Sequence, residues 1–447
     1  MMTNYKNTLF KFRNIYRYFS SALYITGDKA QTTFAVLTPI IDFEKQIIHK
    51  EDLIKNVTAR GLKINVDDLI KHWIFFQDIV KRKQILEITR ADISQTIGKL
   101  LKCPDADPLE IEKFKIHAKM VKDDLKNLKE SSYDIEETTM VKVLSLPNIL
   151  HSKTPLNDEN ILYTHLKKPE FDSLSHMDKG TELKYIKYLD PFTCYLKSDA
   201  ALFEIKLLNY FRQALLKLNY IQFSNPNFCR SVISEGCDEI CHSDEKMFGI
   251  EEQHHEESNI NKLRLCGSAS LFSFMAYFSR HLVPQNAFSL KYFNLGKIYQ
   301  PVKEKSIRSL FSLSQQTVLH IFTADLENSP DNLDILVDQI SKIYDPLGIH
   351  YRIAILPARE LKKAESLRIS IQMYSNFEKQ YVEIGNVSLY SSYLSKRLLF
   401  TYSDKKERRY PEVTSGSLLN FHKFLGCVFE NSDKNVLTGF LNKLNNV

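Results

Sequence analysis

Apolar residues recur at helical spacing from Asp67 to about Leu101, at Leu69, Ile70, Trp73, Ile74, Ile79, Ile85, Ile88, Ile93, Ile97 and Leu100. The run Cys103-Pro104-Asp105-Ala106-Asp107-Pro108 interrupts the pattern, because each proline lacks an amide donor and crowds a preceding carbonyl. A second helical pattern runs from about Leu109 to Glu137 through Phe114, Ala118, Val121, Leu125 and Leu128. Two long helices across a short break predict an antiparallel hairpin. At ~1.5 Å per residue each helix reaches roughly 45–50 Å, too long for the inside of a compact domain, so the pair is expected to project as an arm. Trp73 reads as a packing residue at the arm's base, with stacking on a nucleic-acid base as the other reading.

After Tyr133 the texture changes. Short β-type runs such as Tyr381–Ile384 and Arg397–Tyr402 alternate with helical patterns around Ala201–Leu218, Leu333–Tyr344 and Leu418–Glu430. Strands and helices without regular βαβ alternation predict an α+β domain on an antiparallel sheet. The charged stretch Asp404–Arg409 between two β-type runs is expected to be an exposed hairpin tip.

Composition adds little. The chain has 447 residues, 43% hydrophobic and 26% charged, which suits two globular domains rather than disorder. A net charge of +6 is compatible with an anionic partner without requiring one. Seven cysteines, an odd number in a long chain, suit a reducing compartment better than a disulfide framework. The most apolar stretch, Leu265–Phe278, is interrupted by serines and too short to span a bilayer, so no membrane insertion is expected.

The N-terminus changes the picture more. Met1 to Gly27 contains no Asp or Glu, while Lys6, Lys11, Arg13 and Arg17 interleave with Leu9, Phe10, Phe12, Ile15, Tyr16 and Phe19. A basic, acid-free, amphipathic segment describes a mitochondrial presequence; a basic surface tail is the plainer reading. On the two arm helices Lys81, Arg82, Lys83, Arg90, Lys115, Lys119 and Lys122 offer charge to phosphates, but Glu87, Asp92, Asp123 and Asp124 are interspersed, as on a merely solvated face. Cys237, Cys241, His242, His254 and His255 can be drawn as a zinc site, although their spacing is only loosely zinc-like and no metal is expected. Ser417 with His422 lacks an oriented third partner for hydrolysis.

Several runs resemble the seryl-tRNA synthetase family, in order, from about residue 40 to the C-terminus. Leu146–Asn160 (LPNILHSKTPLNDEN) is similar to the linker between that family's tRNA-binding arm and its catalytic domain. Asn56–Leu69 resembles the approach to the first arm helix, and Tyr195–Phe228 resembles class II motif 1, with Pro226 in the place of its proline. Leu347–Leu356 and Val413–Asn431 resemble the late catalytic domain and motif 3. The resemblance implies a class II antiparallel-sheet fold, an N-terminal helical-hairpin arm and a dimer built on motif 1.

The family's chemistry fares differently. Class II synthetases clamp ATP with motif 2 and motif 3 arginines, whose guanidinium is always charged and bidentate. Where the family reads F-R-x-E, this chain reads Tyr299-Gln300-Pro301-Val302, so Gln300 and Val302 replace the arginine and the glutamate. H-Q-F-x-K-x-E becomes Ser314 to His320, with Val318 at the lysine position, and the motif 3 G-R becomes His422-Lys423. The T-A-E that engages serine is Ser268-Ala269-Ser270. In E-V-S-S-C-S-N, Glu383 and Ser388 remain but Leu389 replaces asparagine. Losing one buried charge partner costs about 2–5 kcal/mol, and several are gone together.

The sequence therefore predicts a presequence over 1–27, a tRNA-binding helical arm over 28–143 and a degenerate synthetase-like domain over 144–447. The expected protein is a mitochondrial matrix RNA-binding paralogue with no cofactor. It would hold tRNA(Ser) or another mitochondrial RNA and pair with itself or with the mitochondrial seryl-tRNA synthetase. A divergent active ligase and a scaffold that does not bind RNA are the alternatives.

Overall fold

The computed structural model describes residues 21–25, 37–102, 107–238, 247–250, 262–302, 307–329, 332–405, 407–431 and 436–445. The chain divides into two compact units, one comprising residues up to 36, Ile41–Val57 and Lys63–Leu146, the other Leu37–Ile40, Thr58–Leu62 and Pro147 onward.

The first unit is built on α1 (Val66–Leu100) and α2 (Pro108–Leu144), packed side by side. Asn65 caps α1 by accepting from the Asp68 amide at 3.0 Å. Asp107 does the same for α2 at the Leu109 amide, at 2.9 Å. Pro108 thus opens the second helix instead of breaking the first, since the first turn needs no amide donor there. Trp73 is buried, edge-on to Phe43 at 5.2 Å and tilted against Phe76 at 5.8 Å, so it packs and does not stack on a base.

The second unit is organised by an eight-stranded sheet. In chain order its elements are β1 (Asn160–His165), α3 (His176–Glu182), α4 (Asp199–Lys217), β2 (Ile221–Gln222), α5 (Leu271–Phe278), β3 (Leu290–Tyr299), β4 (Gln315–Asp325) and α6 (Leu333–Tyr344). They continue with β5 (Tyr351–Ile355), β6 (Leu367–Ser375), β7 (Gln380–Ser391), β8 (Glu412–Asn420), α7 (Phe421–Glu430) and α8 (Val436–Asn445). Strand order is β1-β5-β6-β7-β8-β4-β3-β2, antiparallel except for β2 against β3. The alternation along β4 sorts its residues. Leu319 and Ile321 join the main core with Phe203, Phe211, Tyr344, Phe421 and Phe424 of the helices, whereas His320 and Phe322 meet α5 through Phe274. Both faces of the strand are buried.

The linker Leu146–Asn160 is stitched into this unit from Asn148 on. The Asn148 side chain donates to the carbonyls of Ala364 and Tyr390, both at 2.8 Å, and Thr154 donates to Ser366 O at 2.8 Å. The Arg60 guanidinium donates to the carbonyls of Lys362, Asn148 and Glu365.

Two boundaries differ from the sequence reading. Arg397–Tyr402 is not one strand: Tyr393–Leu398 is a helix that buries Leu394 and Leu398 four residues apart, and the strand begins at Thr401. Its partner Glu407–Arg409 completes the expected hairpin. Leu418 and Leu419 extend β8, and α7 starts only at Phe421, where the Asn420 side chain accepts from the Lys423 amide at 3.3 Å.

Candidate functional site

The sheet face opposite the main core carries the positions where the family resemblance implies catalysis. Val318 is fully buried. His320 is buried too and is held between two hydroxyls, Ser417 Oγ at 3.2 Å from Nδ1 and Ser415 Oγ at 2.8 Å from Nε2. Ser415 donates its own proton to Ile321 O, so it accepts from Nε2–H, which leaves Nδ1 to accept from Ser417. Burial pushes the imidazole down to about 3, keeping it neutral. Ser270 caps α5, accepting from the Ser273 amide and donating to Gly267 O at 2.8 Å. Gly267 sits at φ +92, where a Cβ would overlap the Lys297 carbonyl. Gln300 is exposed, and only its amide is engaged, by Ser314 O at 2.9 Å. Val302 is half-buried, and Leu389 packs against the main core.

The dominant electrostatic feature was not singled out from the sequence. Arg368 on β6 donates to Glu383 on β7, and its other terminal nitrogen lies 3.7 Å from Glu365. Glu383 also accepts from Ser370 Oγ and from Asn386 Nδ2, each at 2.9 Å. Glu365 accepts from Ser388 Oγ and the Lys362 amide, each at 2.8 Å. Burial would raise the Glu383 pKa, but Arg368, Asn386 and nearby Lys423 together hold it below the ordinary carboxylate value. Burial lowers Lys423, with Glu383 opposing that shift and Arg368 adding to it. Two cations and two carboxylates thus neutralise one another in the position of an adenylate pocket. An arginine inside the otherwise apolar run Leu367–Met373 was the available sequence signal, because a charge in a central strand requires a buried partner.

A cavity of about 200 Å³ opens elsewhere, lined by Phe192, Tyr195, Glu204, Lys297, Gln315 and His422 among others. Thr317 bridges its charges, donating to Glu204 Oε1 and accepting from Lys297, whose ammonium stands 3.6 Å from the same carboxylate. His422 Nδ1 accepts from the Thr317 amide at 3.2 Å, and burial pushes the ring down to about 4. Ser417 and His422 therefore serve different neighbours and form no catalytic pair.

In the helical unit Lys81, Arg82, Arg90, Lys115, Lys119 and Lys122 are exposed and Lys83 is half-buried. Of the sequence-drawn zinc ligands, Cys237 is buried, and Cys241, His242, His254 and His255 lie outside the described residues. Among the described residues no cluster of His, Cys, Asp and Glu could hold a metal ion, and no helix is long and apolar enough to cross a membrane.

No protein-family model matches the chain. It is 28% identical over 418 residues to the serine–tRNA synthetase-like protein Slimp of Drosophila melanogaster, covering 92% of this chain and 88% of that one. It is 22% identical over 388 residues to the mitochondrial serine–tRNA ligase of Mus musculus, covering 81% and 74% respectively. The chain is a seryl-tRNA synthetase-like protein. Solved structures agree on the fold. Seryl-tRNA synthetase from Pyrococcus horikoshii complexed with ATP superposes with a TM-score of 0.77 at 14% identity, over 91% of this chain and 98% of that one. The cytoplasmic serine-tRNA ligase of Naegleria fowleri in complex with AMP gives 0.73 at 16% identity, over 89% and 94%. The synthetase-like chain thus has the class II α+β fold.

Proposed function

We propose that this synthetase-like protein is a non-catalytic, RNA-binding dimer of the mitochondrial matrix. The observation that carries the loss of catalysis is the closed network around Glu383. Its carboxylate is taken up by Arg368, Ser370 and Asn386, and Arg368 is balanced by Glu365. A triphosphate needs uncompensated, bidentate cations. The two positions that would supply them hold exposed Gln300 and a lysine already facing Glu383. The alternative is a divergent active ligase. Serine-dependent ATP–pyrophosphate exchange decides between them: background exchange is expected, and exchange well above background would end the non-catalytic reading.

The exposed lysines and arginines of α1 and α2 support binding of tRNA(Ser) or another structured mitochondrial RNA. Replacing Lys81, Arg82 and Lys83 together by glutamate is expected to weaken tRNA(Ser) binding in gel shifts. The salt dependence of log K should flatten by roughly 0.7–0.9 per lost phosphate contact. Unchanged affinity and slope would remove the helical hairpin from the RNA site and favour a scaffold.

Leu202 (42% exposed) and Ile205 (67%) on α4 and Ile221 (59%) on the edge strand β2 leave apolar surface on the motif 1 elements, which supports a dimer there. The mitochondrial seryl-tRNA synthetase or a second copy of this chain is the partner. Mitochondrial ligases among the relatives and the acid-free N-terminus support the location.

A further inference from the structure

Ser21–Ile25 is a short piece of the helical unit with the markings of permanent structure. All five residues are buried, Leu23 completely. The Ser21 hydroxyl accepts from the amides of Leu23 at 3.1 Å and Tyr24 at 3.0 Å, closing a tight turn. The Tyr24 hydroxyl donates to Glu136 Oε1 at 2.5 Å, tying the turn to α2 across 112 positions of sequence. Burial first, and the Glu136 carboxylate second, raise the Tyr24 phenol above its ordinary value, so it stays a donor at any physiological pH. A segment held by buried side chains and a long-range hydrogen bond does not tolerate removal as a solvated tail does.

The import reading asks the opposite of nearby residues. Its cations are Lys6, Lys11, Arg13 and Arg17, and nothing between Arg17 and Ser21 is charged. A cut that removes the targeting charges yet spares the docked turn must fall between Arg17 and Ser21. Within that window the Phe19–Ser20 bond has a small residue on its far side and an arginine shortly before it, the features a presequence peptidase uses.

We infer that import ends in hydrolysis of the Phe19–Ser20 peptide bond, and that Ser21–Ile25 remains as a strap docked on α2. Water adds across the amide: its oxygen becomes part of the Phe19 carboxylate and its two protons end on the Ser20 ammonium. The mature chain then begins at Ser20, eight residues before the first acid at Asp28. The acid-free run by itself would have placed the boundary at Gly27. This inference rests on the mitochondrial reading above.

Two measurements test it separately. The full chain, tagged at its C-terminus and recovered from mitochondria, should carry Ser20 as its labelled N-terminus by mass spectrometry. Any other start, an uncut chain or absence from mitochondria overturns the cut, and absence overturns the location as well. Independently of import, purified chains beginning at Ser20 and at Asp28 are compared by thermal melting. The shorter form should melt several degrees lower, and Tyr24→Phe in the longer form should lower its Tm by a smaller amount. Equal Tm values for all three overturn the strap.

Discussion

His176→Ala should cost the sheet unit about 3–5 kcal/mol, the loss expected when one partner of a buried charged pair is removed. His176 and Glu430 are 2% and 0% exposed, and Nδ1 lies 2.6 Å from Glu430 Oε1. The ring's other nitrogen accepts from the Leu310 amide at 3.0 Å, which assigns the proton to Nδ1 and leaves the carboxylate as its acceptor. Burial would raise the Glu430 pKa, but the hydrogen bonds from His176 and Ser375 outweigh it and keep it low. Without the imidazole, Glu430 keeps only Ser375 Oγ and the amides of His176 and Phe377, and the Leu310 amide loses its acceptor. Urea unfolding of the variant is the measurement. Glu430→Gln, which keeps an acceptor without the charge, should cost less, and an H176A penalty under 1 kcal/mol would show that the pair is relaxed by water.

Acidification should destabilise the same unit well before its carboxylates titrate. His320 and His422 are held down to about 3 and about 4, against about 6.5 in an unfolded chain. Between those values the unfolded state binds protons that the folded state refuses, so the free energy of unfolding falls as pH falls. The stability is complete above about pH 6.5 and is lost progressively below it, on the order of 3 kcal/mol per histidine by pH 4. The depressed carboxyls of Glu383 and Glu430 add a loss in the same direction only below their ordinary range, near pH 4.5. Urea midpoints measured from pH 7 to 4.5 should therefore decline steeply, and His320→Gln should flatten the decline. A pH-independent midpoint across that window would mean that water reaches both rings.

Neither histidine pair was legible in one dimension. His176 and Glu430 stand 254 residues apart, and nothing in either local run distinguishes them from surface polar residues. The arm helices were legible because a 3.6-residue period and a proline-rich break are local properties, which neighbouring residues alone enforce. The helix at Tyr393–Leu398 was misread as strand because six residues carry too little period to separate the two, and burial of Leu394 and Leu398 decided it.

The sequence by itself determined the two-part plan, the order of motifs and the absence of guanidinium at positions 300 and 423, since each is a matter of residue type at a position along the chain. Only the tertiary structure decided what became of the charges left behind. Strand pairing brings Arg368, Glu383 and Glu365 into one buried cluster, and the fold tucks Ser21–Ile25 under cover. Both depend on contacts between residues distant in sequence, where low dielectric and the exclusion of water set the energies, and neither quantity exists until the chain has folded.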